Sequence, residues 1–228
     1  MEVITNGYRS ATKRLLSVTG PVQKLFPQPG KTHGFCLDQA IVVMKRDGYK
    51  QEASLVHQHM DELLKGVVWA DTAWKNSSHF YNPVSEKGIW GWPNAVTEAT
   101  AHYQVAVRKA RIGNLARCMF FLGATAHLIQ DLCVPHHARG LLWDGHQEFE
   151  DWASDNCTKF AVEQGGIYHK GDHPVLWIMQ NSRLAHSLFP LVAEAIGQDY
   201  YTAGKILIPM AQRATAGFFA QFCQLHLF

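Results

Sequence analysis

Between His127 and Asp131, and again between His146 and Glu150, an imidazole and a carboxylate stand four residues apart in stretches of helical apolar spacing. Side chains at that separation share one helix face with β-carbons ~5–6 Å apart, so each pair can reach a single ion. Pro135 interrupts the run between the pairs and delivers His136 and His137 at the break. Imidazole and carboxylate at this density suit zinc, which takes nitrogen and oxygen ligands in a compact shell. A lone histidine on a helix is ordinarily a satisfied core or surface residue, and one such pair arises easily by chance. Two pairs flanking a break are harder to dismiss, because a carboxylate in apolar surroundings is costly unless it is paired or metal-bound.

The elements that must carry these residues are helices. Apolar residues recur at helical rather than alternating spacing, so the chain reads as all-α, a multi-helix bundle. Residues 8–18 are predicted to form a short basic amphipathic helix ended by Gly20 and Pro21, and "FPQPGKT" is a loop into the domain. A helix starting near Thr32 is expected to stop at Gly48, and a further helical stretch runs over "QEASLVHQHMDELLKGVVWAD". The aromatic loop "TAWKNSSHFYNPVSEKGIWGWP" follows, long enough to be a candidate wall of a site. Asn94 and Asn114 are N-cap candidates for helices reaching about Ile112 and Pro135. Further helices are predicted over 146–163 and 174–189, and a long last one carries Pro209 as a candidate kink.

Composition bounds the reading. With 228 residues, 47% hydrophobic and 18% charged, the chain can bury a substantial core, and its formal charge of +2 gives no ground for an obligate nucleic-acid partner. The five cysteines are scattered with no C-x-x-C pair, which points to free thiols in a reducing compartment, the cytoplasm by default. The first twenty residues lack the basic start and apolar run of a secretory signal, and no segment reaches the ~18 consecutive apolar residues of a membrane span. Secretion is expected only for a sequence already trimmed of its leader. No feature specifies an oligomeric state.

The spacing H-x3-D-x5-H in "HLIQDLCVPHH", followed by H-x3-E in "HQEFE", resembles the zinc-dependent bacterial phospholipase C family, related more distantly to the S1/P1 nucleases. "KTHGFCLDQAIVVM" is similar to that family's early histidine-bearing helix, "WADTAWKNSSHFYNP" to its Asp-then-Ser-His-Phe-Tyr segment, and "AQRATAGFF" to its final helix. The resemblance implies a domain over residues 31–228 of the phospholipase C / P1 nuclease type, preceded by a 1–30 extension. It implies two or three Zn2+ ions: His79, His127 and Asp131 on one, His137, His146 and Glu150 on a second, and His33 on a third that Asp131 bridges to the first. Asp71 stands at the position of the family's general base, where the bland alternative is a helix-end carboxylate. His136 is expected in an outer role, behind the ligands or facing solvent.

The resemblance also implies an N-terminal tryptophan on the third zinc, yet no tryptophan precedes Trp69, so that site is expected to be empty, weak or completed by another group. The implied activity is zinc-dependent phosphodiester hydrolysis, with phospholipid or another phosphodiester as substrate. Peripheral membrane contact is an accompanying expectation, through aromatics of 69–92 or the basic residues Arg9, Lys13 and Arg14. Two alternatives stand beside it: an S1/P1-like nuclease, disfavoured by Glu150 where those enzymes carry aspartate, and a metal-stabilised binding protein without turnover.

Overall fold

Residues Leu115–Asp131 form the helix around which the others are arranged. In the computed structural model, which describes residues 30–228 apart from 91, 92, 170, 172 and 195–197, every residue from Leu122 to Asp131 on it is buried. That follows from "LGATAHLIQD", where apolar and small residues occupy all sides and leave no polar face for solvent. The chain runs through α1 (Lys31–Arg46), α2 (Lys50–Gln58), α3 (Met60–Ala70), α4 (Ala95–Arg111), α5 (Leu115–Asp131), α6 (Pro135–Arg139), α7 (His146–Asn156), α8 (Val175–Leu188) and α9 (Tyr200–His226). No strand occurs among the described residues; one isolated bridge joins Asn82 and Lys87. The all-α expectation is met.

α3 and α4 flank α5 most extensively, α9 lies along both α1 and α5, and α8 closes the far side. Leu63, Met119, Leu122, Leu128, Trp177, Phe218 and Phe222 are among the fully buried side chains that fill the space between them. α3 approaches α5 so closely that no β-carbon fits between them at two points: one at Gly66 would strike the backbone of Phe120, and one at Gly123 would strike that of Leu63. Glycine is required there by contact distance, and the result is that the end of α3 is held against the last turns of α5.

The caps read from the sequence form. Asn94 Oδ1 accepts from the backbone N–H of Thr97 at 3.0 Å and Asn114 Oδ1 from that of Arg117 at 3.1 Å. Other boundaries differ. The stretch 50–70 is two helices because the chain turns at His59, whose φ of −114° and ψ of 24° leave the helical range. Pro135 begins a helix rather than only ending one: its missing N–H and fixed φ suit the first helical position. The 146–163 prediction is shortened to His146–Asn156 with a 3-10 turn over Cys157–Phe160. α9 runs as one uninterrupted helix through Pro209; the carbonyl that proline leaves unpaired belongs to the exposed Lys205, where water can reach it. Residues 8–18 lie outside the described residues. Among those described, no helix is long and apolar enough to cross a membrane.

Candidate metal centre

The C-terminal end of α5 brings a carboxylate into the core, and four histidines face it. Asp131 Oδ2 lies 2.8 Å from His79 Nδ1, 3.1 Å from His127 Nε2 and 4.0 Å from His137 Nδ1; Asp131 Oδ1 lies 3.3 Å from His33 Nε2. Each arrives on a different element. His33 projects from the first turn of α1, and His127 precedes Asp131 by one turn of α5. His79 follows the 3-10 turn Ala73–Ser78 that leads out of α3, and His137 sits on α6. Segment 79–81 is pinned to α6 because the N–H of Tyr81 donates to the carbonyl of His137 at 3.1 Å, while Phe80 stacks on the His137 ring at 4.6 Å between centroids.

A second cluster adjoins the first. Glu150 Oε1 lies 3.0 Å from His137 Nε2 and 2.9 Å from His146 Nε2. His146 and Glu150 share a face of α7, as their spacing predicts, and α7 starts from Gly145 in the left-handed region at φ 84°. Asp71, at the C-terminal end of α3, places Oδ1 4.0 Å from His127 Nε2 and keeps 30% of its side chain exposed. All eight residues singled out in the sequence thus fall into three contiguous groups: His33, His127 and Asp131; Asp71, His79 and His127; His137, His146 and Glu150.

The hydrogen bonds behind these rings decide what stands in front of them. A carbonyl oxygen only accepts, so His79 Nε2, 3.2 Å from the carbonyl of Ala70, carries the proton, and in the neutral ring Nδ1 is a bare lone pair. That lone pair faces Asp131 Oδ2. His137 repeats the pattern: Nδ1 donates to the carbonyl of His79 at 3.2 Å, which turns the Nε2 lone pair toward Glu150. Acceptor facing acceptor at about 3 Å is repulsive unless a positive charge lies between. Asp131 Oδ2, although crowded by imidazoles, is buried without a contact of hydrogen-bond geometry. These residues fit metal ions: a nitrogen and oxygen donor set, lone pairs converging on shared carboxylates, and outer hydrogen bonds that fix each tautomer.

The electrostatics agree. Burial disfavours charge on Asp131 and Glu150, yet the neighbouring imidazoles hold Asp131 well below the usual carboxylate range, and those of His137 and His146 do the same for Glu150. Burial lowers His137, but the charges of Asp131 and Glu150 outweigh it and push it up to about 9, so these carboxylates favour positive charge at that spot, a proton on Nε2 or a metal ion in its place. Asp71 moves the other way: burial first, then the charge of Asp131, holds it above the ordinary carboxylate value.

His136 proves to be buried behind the cluster. Its Nε2 donates to the carbonyl of Asp144 at 2.9 Å, and its ring stacks on His146 at 5.0 Å, so it supports a candidate ligand and does not face solvent. Gln130 was not singled out by sequence reasoning. It bridges His33 Nδ1, at 2.7 Å, and Thr215 Oγ1, at 3.0 Å. A glutamine inside "AHLIQDL" was the available signal, since an uncharged polar side chain in so apolar a helix needs a partner.

Comparison with known proteins agrees with this geometry. A family model described as zinc dependent phospholipase C matches residues 32–205. A phospholipase C of Bacillus cereus is 26% identical over 223 residues, covering 82% of this chain and 78% of that protein. A phospholipase C of Clostridium novyi is 25% identical over 185 residues, covering 67% of this chain and 46% of that one. Among solved structures, the alpha toxin of Clostridium absonum superposes with a TM-score of 0.76 at 17% identity, over 88% of this chain and 65% of the toxin. The alpha-toxin of an avian Clostridium perfringens strain gives 0.75 at 18% identity, with the same coverage. The chain therefore spans under two-thirds of the length of those toxins, and at such identities the likeness speaks for the fold.

Proposed function

The chain belongs to the zinc-dependent phospholipase C family, and from that premise we propose that it hydrolyses phospholipids on the glycerol side of the phosphate, releasing diacylglycerol and a phosphorylated headgroup. The observation that carries the reading is the convergence of imidazoles on Asp131 and Glu150, an arrangement that favours cations beside a partly exposed carboxylate, Asp71. The reading assigns this chemistry to residues 31–228, with 1–30 as an extension. The five free, buried thiols support a cytoplasmic location, and the membrane surface is met only peripherally.

His79, His127 and Asp131, then His137, His146 and Glu150, and His33 with Asp131 would hold the zinc ions, which would supply Lewis acidity toward phosphate oxygens and a lowered pKa for water. The chain's own part is orientation and proton transfer. Asp71 Oδ1 takes the proton of the attacking water as its oxygen bonds to phosphorus, the bond from phosphorus to the glycerol oxygen breaks, and that oxygen takes a proton from solvent. Burial keeps Asp71 more basic than a surface carboxylate, which suits a proton acceptor near neutral pH. Asp131 turns Oδ2 toward His79 and His127 and Oδ1 toward His33, so it would be shared by two of these donor groups.

Hydrolysis of phosphatidylcholine, of other phospholipids and of single-stranded nucleic acid, measured in parallel with zinc present, tests the reading. Release of diacylglycerol from at least one phospholipid is expected. Cleavage of nucleic acid alone transfers the site to nuclease chemistry, and zinc binding with no turnover on any substrate leaves a metal-stabilised binding protein.

A further inference from the structure

His33 is held from behind by a hydrogen-bond relay that crosses the molecule. Thr215 Oγ1, on α9, donates to the carbonyl of Ala211 at 2.8 Å. Its single hydrogen is then used, so toward Gln130 it accepts, and Gln130 Nε2 donates to it at 3.0 Å. The same amide consequently presents its oxygen to His33 Nδ1, 2.7 Å away. Gln130 and Thr215 are both buried, at 4% and 0% exposure, so no solvent competes for these bonds.

We infer that Gln130 is the positioning residue of the His33–Asp131 metal position, locking His33 with its proton on Nδ1 and its Nε2 lone pair toward Asp131. With Nδ1 donating to Gln130, neutral His33 has no hydrogen on Nε2, which faces Asp131 Oδ1 at 3.3 Å. Two acceptors then oppose each other, and the pair attracts a cation. Were the amide turned over, Nδ1 would accept, Nε2 would donate to Asp131, and the pair would close on itself with a hydrogen bond. One amide orientation therefore separates a metal position from a plain polar contact. Outer hydrogen bonds of this kind fix the ring and raise its basicity. Here the anchor is α9, so α1 and α9 jointly position one candidate ligand.

The inference rests on the reading of His33 as a ligand, and the experiment separates the two. Zinc affinity is measured by chelator competition for the parent, Gln130→Leu, Thr215→Val, Gln130→Glu and His33→Ala, beside nitrogen-15 NMR of His33 in metal-free protein above its pKa. Gln130→Leu is expected to weaken one ion ~10–100-fold while leaving the others, Thr215→Val to do so less, and Gln130→Glu, which still accepts from Nδ1, to restore it. The NMR spectrum is expected to show the Nδ1–H tautomer in the parent and its loss of preference in Gln130→Leu. Thr215→Val, nearly isosteric, keeps the test intact if Gln130→Leu fails to fold. Parental zinc affinity in both relay variants, with an ion lost in His33→Ala, overturns the relay alone, as does an Nε2–H tautomer in the parent. No ion lost in His33→Ala overturns the ligand reading and the relay with it.

Discussion

Gly123 meets the backbone carbonyl of Leu63 so closely that a β-carbon on it would fall inside any permitted contact distance. The helix ending at Asp71 is thereby seated against the helix carrying His127 and Asp131. Gly123→Ala is expected to force the two apart at a cost of ~1–3 kcal/mol, the range for overpacking a tight core. Thermal unfolding monitored by circular dichroism checks it, and a parental melting temperature would show that the contact relaxes freely. Because the displaced partner holds Asp71, turnover is expected to fall further than zinc content does.

Metal removal is expected to lower stability. The candidate ligands come from α1, α3 through its following turn, α5, α6 and α7 and meet only in the folded chain, so zinc held by them would stabilise the native state by linkage, ~4 kcal/mol when free zinc is 1,000 times the dissociation constant. Calorimetry of exhaustively chelated and zinc-loaded protein compares the two. Equal melting temperatures, with metal loss verified by elemental analysis, contradict metal-coupled folding.

Metal holding and proton transfer are expected to separate at Asp71 and His127. Asp71→Asn is expected to keep its zinc yet lose turnover by ~100-fold or more, the usual effect of removing a positioned base. His127→Ala is expected to lose metal and activity together. Zinc content and initial rate on a soluble short-chain phospholipid are the two readings. Near-parental activity in Asp71→Asn removes it from the base role.

A separate carboxylate sets part of the acid limit of the fold. Asp47, at the end of α1, accepts from the N–H of Gly166 and the hydroxyl of Tyr168, each at 2.7 Å, and from the N–H of Gly165 at 3.0 Å. Partial burial raises its pKa, but these bonds outweigh it and hold the group below its ordinary value. A carboxyl with a depressed folded pKa contributes stability above its unfolded value of about 3.9 and loses it as pH falls through the folded one. Asp47→Asn is expected to destabilise by about 1 kcal/mol at pH 7 and to converge with the parent below that window. Urea unfolding at pH 7 and at pH 3 measures the convergence; a constant gap between the two denies the role of the charge.

Much of this arrangement was legible from local pattern. The caps at Asn94 and Asn114, and the pairs His127 with Asp131 and His146 with Glu150, depend on residues within four positions of one another, which helical geometry fixes. The Pro135 break pointed to His137, and the resemblance added His33, Asp71 and His79, whose partners are distant in the chain. What stayed hidden was set by tertiary packing: the turn at His59, the unbroken passage through Pro209, and the link from Gln130 to residues 97 positions before it and 85 after. A buried glutamine announces a need for partners, but only the packing of α1 and α9 supplies them.

The packing of α9 against α1 carries a consequence for biosynthesis. In order of synthesis His33 comes first, the candidate ligands of 127–150 follow, and Thr215, which steadies the amide behind His33, comes after them all. No early segment owns a complete set of donors. A nascent chain halted before α9 lacks both the last wall of the core and the anchor of the His33 relay. On the proposed reading, the His33 position is therefore complete only once α9 has been made and packed against α1.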